Sequence, residues 1–390
     1  MNKKIRVGIL FGGKSAEHEV SLLSAKNIYD ALDREKYEPV LIGIDKSGRW
    51  LFPNSTGLPG NAGTGQSGFL LNADDPKNIS LNTSSDNIVL APESRGSIAN
   101  LSNTASNTGS GMAVDVVFPI LHGPFGEDGT VQGLLKLADI PFVGAGVLAS
   151  SVGMDKDVMK RLLRDAGLPI GKFRSVSLGE KLPAFDEVSG ELGLPLFIKP
   201  ANMGSSVGVS KVSTKEAYDS AIKEAFIYDN KVIIEEFIPG RELECSVLGS
   251  SFTAWDDTSL EGHGIRASAV GEIIPSHEFY SYDAKYLDDN GAALVIPAEI
   301  PAETSSLIQK LSVQVFKTLC CDGLARVDFF LGKNGSPIVN EINTMPGFTR
   351  ISMYPKLWEA SGISYSVLID RLIEIAILRF NKEKLLKTER

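Results

Sequence analysis

Apolar positions recur along this chain in two periods, and the period changes from stretch to stretch. Residues 4–11 (KIRVGILF) read as a first strand, GGKSAEHEVS follows, and Leu22, Leu23, Ile28 and Leu32 then fall at helical spacing before a second strand, YEPVLIGID. A strand–helix–strand opening predicts a parallel sheet. The pattern resumes with VDVVFPILHG, a helical TVQGLLKLAD and the strand-like IPFVGAG; residues 154–166 (MDKDVMKRLLRDA) are amphipathic and end at Gly167-Leu168-Pro169. A second unit comprises LPLFIKP, the loop NMGSSVGVS, a helix over 215–226 and the strand KVIIEEFI, and a third runs from about Arg241 to an amphipathic helix over 365–380. The fold class is therefore α/β, passing to α+β in the C-terminal half, with domains at 1–145, 146–238 and 239–390. Within the first domain, residues 53–112 turn rich in Ser, Asn, Gly and Thr around two short apolar runs, GFLLN and NIVLAP. This stretch reads as a polar insertion carrying one peripheral hairpin.

The third unit breaks the pattern where LARVDFFL and PIVNEIN flank Asn334-Gly335. Asn-Gly is a strong two-residue hairpin signal, because both turn positions need positive φ. Pairing Lys333 with Ser336 and counting outwards sets Asp328 opposite Glu341 and Arg326 opposite Asn343, all four on one face. Facing carboxylates repel unless something positive lies between them. Carboxylates and an amide oxygen are hard ligands suited to Mg²⁺ or Mn²⁺. The alternative is a solvated strand face on which Arg326 pairs the acids.

Composition narrows the classes. With 43% hydrophobic residues in 390 there is material for ordinary cores, and mean hydropathy is +0.02. A net charge of −9 argues against a nucleic-acid backbone as the main partner. Cys245, Cys320 and Cys321 have no metal-ligand spacing and no disulfide framework, which fits a reducing cytoplasm. The basic start MNKKIRVGILFGG is too short and glycine-broken for a signal peptide, and no apolar run reaches membrane-spanning length.

Three glycine-bearing stretches compete as nucleotide loops. GILFGGKS (8–15) matches the pattern of a phosphate-binding P-loop, but Ile9, Leu10 and Phe11 read as strand, and Glu17 and Glu19 would crowd phosphates. GAGVLA (144–149) fits a relaxed dinucleotide fingerprint, though its expected acid falls at Asp165 near a helix end; a tight strand-to-helix turn is preferred. The third, NMGSSVGVS, follows an apolar strand ending in Lys199-Pro200 and precedes another, like a flap on a hairpin. Its backbone N–H groups and the hydroxyls of Ser205 and Ser206 would cradle an anion, with Lys199 adding charge. Glu17 and Glu19 stand where acids cap helices. His122 follows a parallel strand, where α/β sheets place ligands. Glu235 and Glu236 end an apolar strand and could equally be a solvated edge.

Taken together, FGGKSAEHEVS, FPILHGPFGEDG, GMDKDVMKRLL, LPLFIKPANMGSSVGVSKV, VIIEEFIPGRELECSVLG, YDAKYL and ARVDFFL with VNEINTMPGFTRISMYPKL resemble the ATP-grasp ligases, and within them the D-alanine:D-alanine ligase family. The resemblance covers most of the chain; residues 53–112 and 251–269 stand outside it. It implies a three-domain ATP-grasp architecture, with ATP held between the two later domains, and ATP-dependent joining of two D-alanines for peptidoglycan synthesis by a cytoplasmic homodimer. Asp328, Glu341 and Asn343 are then expected to hold two Mg²⁺ (or Mn²⁺) ions, and Lys156, Lys199 and Lys285 to touch the ATP phosphates under the loop of Ser205, Ser206 and Val207. Glu235, Glu236, Phe237 and Ile238 would meet adenine, Glu242 the ribose, and Phe330 would also line the nucleotide site. Glu17 would accept the first D-alanine's ammonium, with His122 near its carboxylate. Arg326 and the N–H of Gly347 would stabilise an oxyanion, which removes Arg326 as partner of the acids; Ser352 and Met353 would hold the second carboxylate. Tyr286 would link to Ser205 and Glu17, and relatives that make the D-lactate ester tend to differ there. No side-chain nucleophile is required, consistent with the lack of a persuasive Ser/His/Asp or Cys/His set.

Overall fold

The computed structural model describes residues 3–51, 88–89, 97–100, 112–251, 264–275 and 292–387. β1 (Ile5–Gly12), α1 (His18–Ala31) and β2 (Tyr37–Ile44) form the expected unit, its strands parallel, with β3 (Trp50–Leu51) antiparallel at the edge. Inside the polar insertion, β4 (Ile88–Val89), β5 (Ser97–Asn100) and β6 (Met112–Ala113) make a small antiparallel sheet, one strand more than the expected hairpin; GFLLN lies outside the described residues. β7 (Val116–Ile120) returns to pair parallel with β1, giving the order β3-β2-β1-β7. IPFVGAG adds no further strand. Only Phe142 bridges to Val117, and Gly144, at φ 96°, turns the backbone away.

After α2 (Thr130–Leu137), the amphipathic stretch at 154–166 is divided by Asp155, which ends α3 (Val147–Met154) and caps α4 (Lys156–Asp165). Its carboxylate accepts from the N–H groups of Asp157 and Val158, both at 3.1 Å, so two orphan donors of α4 are satisfied. The sequence pattern did not disclose α3. The middle region contains β8 (Phe173–Ser177), α5 (Phe185–Leu192), β9 (Leu196–Pro200), β10 (Ser210–Val212), α6 (Lys215–Tyr228) and β11 (Lys231–Glu236), in an antiparallel sheet ordered β10-β9-β11-β8. It has its own core around Val188, Ile198, Tyr218, Ile222 and Val232.

The last region contains β12 (Gly240–Gly249), β13 (Arg266–Pro275), β14 (Ala292–Val295), α7 (Ala302–Thr318), β15 (Gly323–Gly332), β16 (Pro337–Asn343), α8 (Met353–Ala360) and α9 (Tyr365–Glu383). Its five strands run antiparallel as β14-β13-β12-β15-β16. α9 does not stay within this region. Leu368, Ile369, Leu372 and Ile373 share one buried cluster with Val7, Ile9, Val116 and Phe118 of the first sheet. Arg379 of α9 reinforces that union by donating to the carbonyls of Phe142 at 2.8 Å and Gly144 at 2.5 Å. First and last regions are thus packed as one body, and loops leaving β7 and β16 meet. No described helix is long and apolar enough to cross a membrane.

Candidate active site

The hairpin of β15 and β16 is not built on a two-residue turn. Gly335 N–H donates to Gly332 C=O at 2.8 Å and Gly332 N–H to Ser336 C=O at 3.1 Å, enclosing Lys333, Asn334 and Gly335. Within that loop only Gly335 has positive φ, at 76°, as in a three-residue loop closed by a left-handed glycine. The ladder therefore starts one residue away from the expected register, with Leu331 opposite Pro337 and Phe329 opposite Val339. A bulge at Asn340 restores it, and Asp328 faces Glu341 and Arg326 faces Asn343 as expected. The bulge also places Asn340 beside Glu341 on the cavity wall.

β12 extends this face. Glu244 lies opposite Asp328 and Glu242 opposite Phe330, so Glu244, Asp328 and Glu341 form one row across three strands. Such a row repels itself. Arg326 answers it with a fork to Asp328, Nε to Oδ1 at 2.7 Å and Nη2 to Oδ2 at 2.8 Å, while its Nε lies 2.9 Å from Glu244 Oε2. The expectation that Arg326 would not partner the acids is thereby corrected: among the described residues it is a cation for both Asp328 and Glu244. Asn343 Nδ2 donates to Asp328 Oδ2 at 3.0 Å. Lys156, at the start of α4, lies 3.7 Å from Glu341 Oε2 and donates to Met203 C=O at 2.7 Å, bridging the acid face to the glycine-rich loop. Burial pushes the Lys156 ammonium pKa down, against the opposing pull of Glu341.

These residues border a cavity of about 430 Å³ that also receives Glu17, His122, Ser205, Gly347, Ser352 and Met353. Glu17 precedes α1 but its side chain makes no capping bond. Ser205 Oγ instead donates to Glu17 Oε1 at 2.5 Å, tying the glycine-rich loop to the first region. That loop takes a strained path, with Ser205 and Ser206 both left-handed at φ 51° and 60°, and Val207 N–H donates back to Gly204 C=O at 3.1 Å. His122 is buried, its Nδ1 3.0 Å from Met345 C=O and its Nε2 3.5 Å from Ser24 Oγ. Burial lowers its pKa against the pull of Glu17. On the far wall Ser352 precedes α8, whose N-terminus offers backbone donors to an anion. A Cβ on Gly347 would come within 2.8 Å of Ser352 Oγ, so a side chain there would displace that hydroxyl.

Among the cavity residues that the sequence reading does not reach are Glu127, Glu244 and Asn340. Glu127 accepts from Gly123 N–H at 2.7 Å and Met345 N–H at 3.2 Å, and burial together with the nearby Glu17 carboxylate pushes its pKa up. Its signal was its place five residues after His122 in one loop. For Glu244 the signal was alternation with Glu242.

The remaining nucleotide candidates stand apart from the cavity lining. Lys199 Nζ lies 2.5 Å from Glu235 Oε2, and Lys160 Nζ 2.8 Å from Glu235 Oε1. Glu236 accepts from Lys172 N–H at 2.7 Å, exposed Phe237 leans on Phe197 at 5.9 Å between centroids, and Ile238 packs beside Gly171. Lys285 and Tyr286 lie outside the described residues. Burial would raise the Glu235 carboxyl, but Lys160 and Lys199 outweigh it and hold the pKa at about 2 against an ordinary 4.5. A depressed acid contributes stability above its unfolded pKa and loses it as pH falls through the folded one, here about 3 kcal/mol between roughly pH 5 and 2. The unfolding free energy of native protein minus that of Glu235→Gln should therefore shrink from pH 6 to pH 3; a constant difference would contradict this ion pairing.

The other two glycine stretches are structural. Ile9 to Gly12 is strand, and exposed Lys14 sits over the Phe125 ring at 5.8 Å. At Gly144 a Cβ would come within 2.6 Å of Met345 Cε, so the residue serves the union of first and last regions. As for the donor set, two carboxylates and an amide oxygen on one face suit a hard divalent cation. Among the described residues no group of three His, Cys, Asp or Glu side chains is arranged to hold one.

Comparison with known proteins gives the family. The family model for the D-ala D-ala ligase N-terminus matches residues 6–145 and that for the C-terminus matches 162–374. A D-alanine–D-alanine ligase of Oceanobacillus iheyensis is 51% identical over 390 residues, covering 99% of each chain. Among solved structures, the D-alanine–D-alanine ligase of Coxiella burnetii superposes with a TM-score of 0.79 at 36% identity, covering 98% of this chain and 96% of that one. The VanG D-Ala:D-Ser ligase of Enterococcus faecalis gives 0.79 at 35%, covering 96% and 100%. Matched along nearly its whole length, the chain belongs to the D-alanine–D-alanine ligase family and has that family's ATP-grasp fold.

Proposed function

We propose that this enzyme, an ATP-dependent ligase, joins two D-alanines to D-alanyl-D-alanine, releasing ADP and phosphate. The observation that carries the reading is half-identity to D-alanine–D-alanine ligases over the full chain. A D-lactate acceptor is not favoured by those relatives, and the P-loop alternative has no support from a segment that is strand. A free carboxylate resists attack by an amine, so it must first be activated. The first D-alanine carboxylate attacks the γ-phosphorus of ATP in line, forming an acyl phosphate and freeing ADP. The neutral amine of the second then attacks the acyl carbon, and the tetrahedral intermediate expels phosphate.

The residue roles rest on the resemblance to that family, and the meeting of Glu17, His122, Arg326, Asp328, Glu341 and Ser352 at one cavity supports them. Glu17, fixed by Ser205, receives the first ammonium, and His122 lies toward its carboxylate. Lys156 and Lys199, with Lys285, meet the phosphates under Ser205, Ser206 and Val207. Glu235, Glu236, Phe237 and Ile238 hold adenine, while Glu242 and Phe330 face the ribose side. Arg326 and Gly347 N–H stabilise the oxyanion, Ser352 and Met353 at the α8 N-terminus take the second carboxylate, and Tyr286 joins Ser205 and Glu17. Asp328, Glu341 and Asn343 would hold Mg²⁺ or Mn²⁺, which when bound neutralises phosphate charge. The domain division at 145 and 238, a homodimer and a cytoplasmic place in peptidoglycan synthesis belong to the same reading. Mass spectrometry of products from ATP, Mg²⁺ and an equimolar mixture of D-alanine, D-lactate and D-serine tests it: mainly D-alanyl-D-alanine is expected at neutral pH, and mainly depsipeptide or mixed dipeptide overturns it.

A further inference from the structure

α4 presents two lysines one helical turn apart, Lys156 and Lys160, only 8% and 3% exposed. Lys156 reaches the acid face. Lys160 reaches Glu235 at 2.8 Å, while Lys199, on the neighbouring strand, takes the other oxygen at 2.5 Å. Lys199 pairs with Ile233 in the ladder, so Glu235 is its diagonal neighbour on the same face of the sheet. One carboxylate, 7% exposed, thus has two cations from different elements. A buried pair with one partner withdrawn is strongly destabilised. Were Lys199 the sole partner of Glu235, turning to any other anion would leave that carboxylate buried and uncompensated.

We propose that Lys160 is a positioning residue for nucleotide binding: as the permanent counter-ion of Glu235, it releases Lys199 to engage a phosphate group. The proposal rests on the reading that Lys199 meets the ATP phosphates. Lys160 itself has no contact with nucleotide in this scheme. Its effect passes through Glu235 and Lys199, which distinguishes it from a further phosphate-binding lysine.

The test is calorimetric titration of the full chain with MgATP in the absence of D-alanine, with far-ultraviolet circular dichroism to monitor folding. Lys160→Met should weaken binding about ten- to a hundredfold, since Lys199 then stays with Glu235. Lys160→Arg should restore binding to within about threefold, because a guanidinium also pairs a carboxylate. The decisive variant is Lys160→Met combined with Glu235→Gln. With the buried charge of Glu235 gone, Lys199 is no longer held by that carboxylate, and the double variant should bind within about threefold of Glu235→Gln alone. Native-like binding by Lys160→Met overturns the proposal, as does a double variant about tenfold or more weaker than Glu235→Gln. Should Lys160→Met alone not fold, the comparison in the Glu235→Gln background decides the matter. Lys199→Ala separates the underlying reading: intact binding there removes Lys199 from the phosphates, whereas lost binding with a silent Lys160→Met refutes only the role of Lys160.

Discussion

Arg326→Met is expected to lower kcat by about 10²–10³-fold, the cost of removing one preorganised oxyanion donor, about 3 to 4 kcal/mol. The guanidinium has a second duty in the structure. It forks onto Asp328 and lies beside Glu244, so its loss also removes a cation that both acids share. Arg326→Lys separates these duties, because an ammonium keeps the charge but not the planar fork. The lysine variant should unfold near the native temperature and still show kcat reduced by about tenfold or more. Native kcat in Arg326→Lys, measured at saturating substrates, would leave Arg326 with only the acids to serve.

Glu341→Gln is expected to reduce turnover at limiting Mg²⁺ by about 10²-fold or more, with partial recovery as Mg²⁺ is raised. The fold should tolerate it. Glu341 is half-buried at the cavity edge, its Lys156 partner is 3.7 Å away, and a glutamine fills the same space while relieving repulsion from Asp328. Initial rates across a Mg²⁺ titration, beside a thermal unfolding curve, make the measurement. Unchanged turnover at limiting Mg²⁺ would take Glu341 out of the site.

The hairpin shows what a sequence discloses and what it does not. Alternation identified the polar face of β15, because the opposite face had to be apolar to reach the core. The turn length was misjudged, yet the acids still met, because the unsignalled bulge at Asn340 cancelled the error. Bulges depend on ladder hydrogen bonds that no local pattern encodes. Glu244 could have been found by alternation from Glu242. Lys160 could not, since its helical spacing marks a buried face while its partner Glu235 lies on a strand far along the chain. Strand-to-helix order made the parallel sheet legible; α3 remained hidden because VLASSVGM is apolar almost all round and adjoins a better amphipathic pattern. Local pattern offers only capping for Glu17, and the resemblance alone points it to the site, because its bond to Ser205 is tertiary.

The shared core of first and last regions bears on how the chain is made. One face of the opening sheet, with Val7, Ile9, Val116 and Phe118, is covered jointly by Ala25 and Ile28 of α1, with Leu32 just after it, and by Leu368, Ile369, Leu372 and Ile373 of the last described helix. Synthesised from the N-terminus, the sheet acquires its strands and α1 early and the rest of its cover late. The middle region, with a self-contained core, can close in between. Until α9 emerges, the part of that face not covered by α1 stays open to water, and contacts of such long sequence separation are slow to form. Nascent chains of this protein thus hold part of their opening sheet uncovered until the residues of α9 have been added.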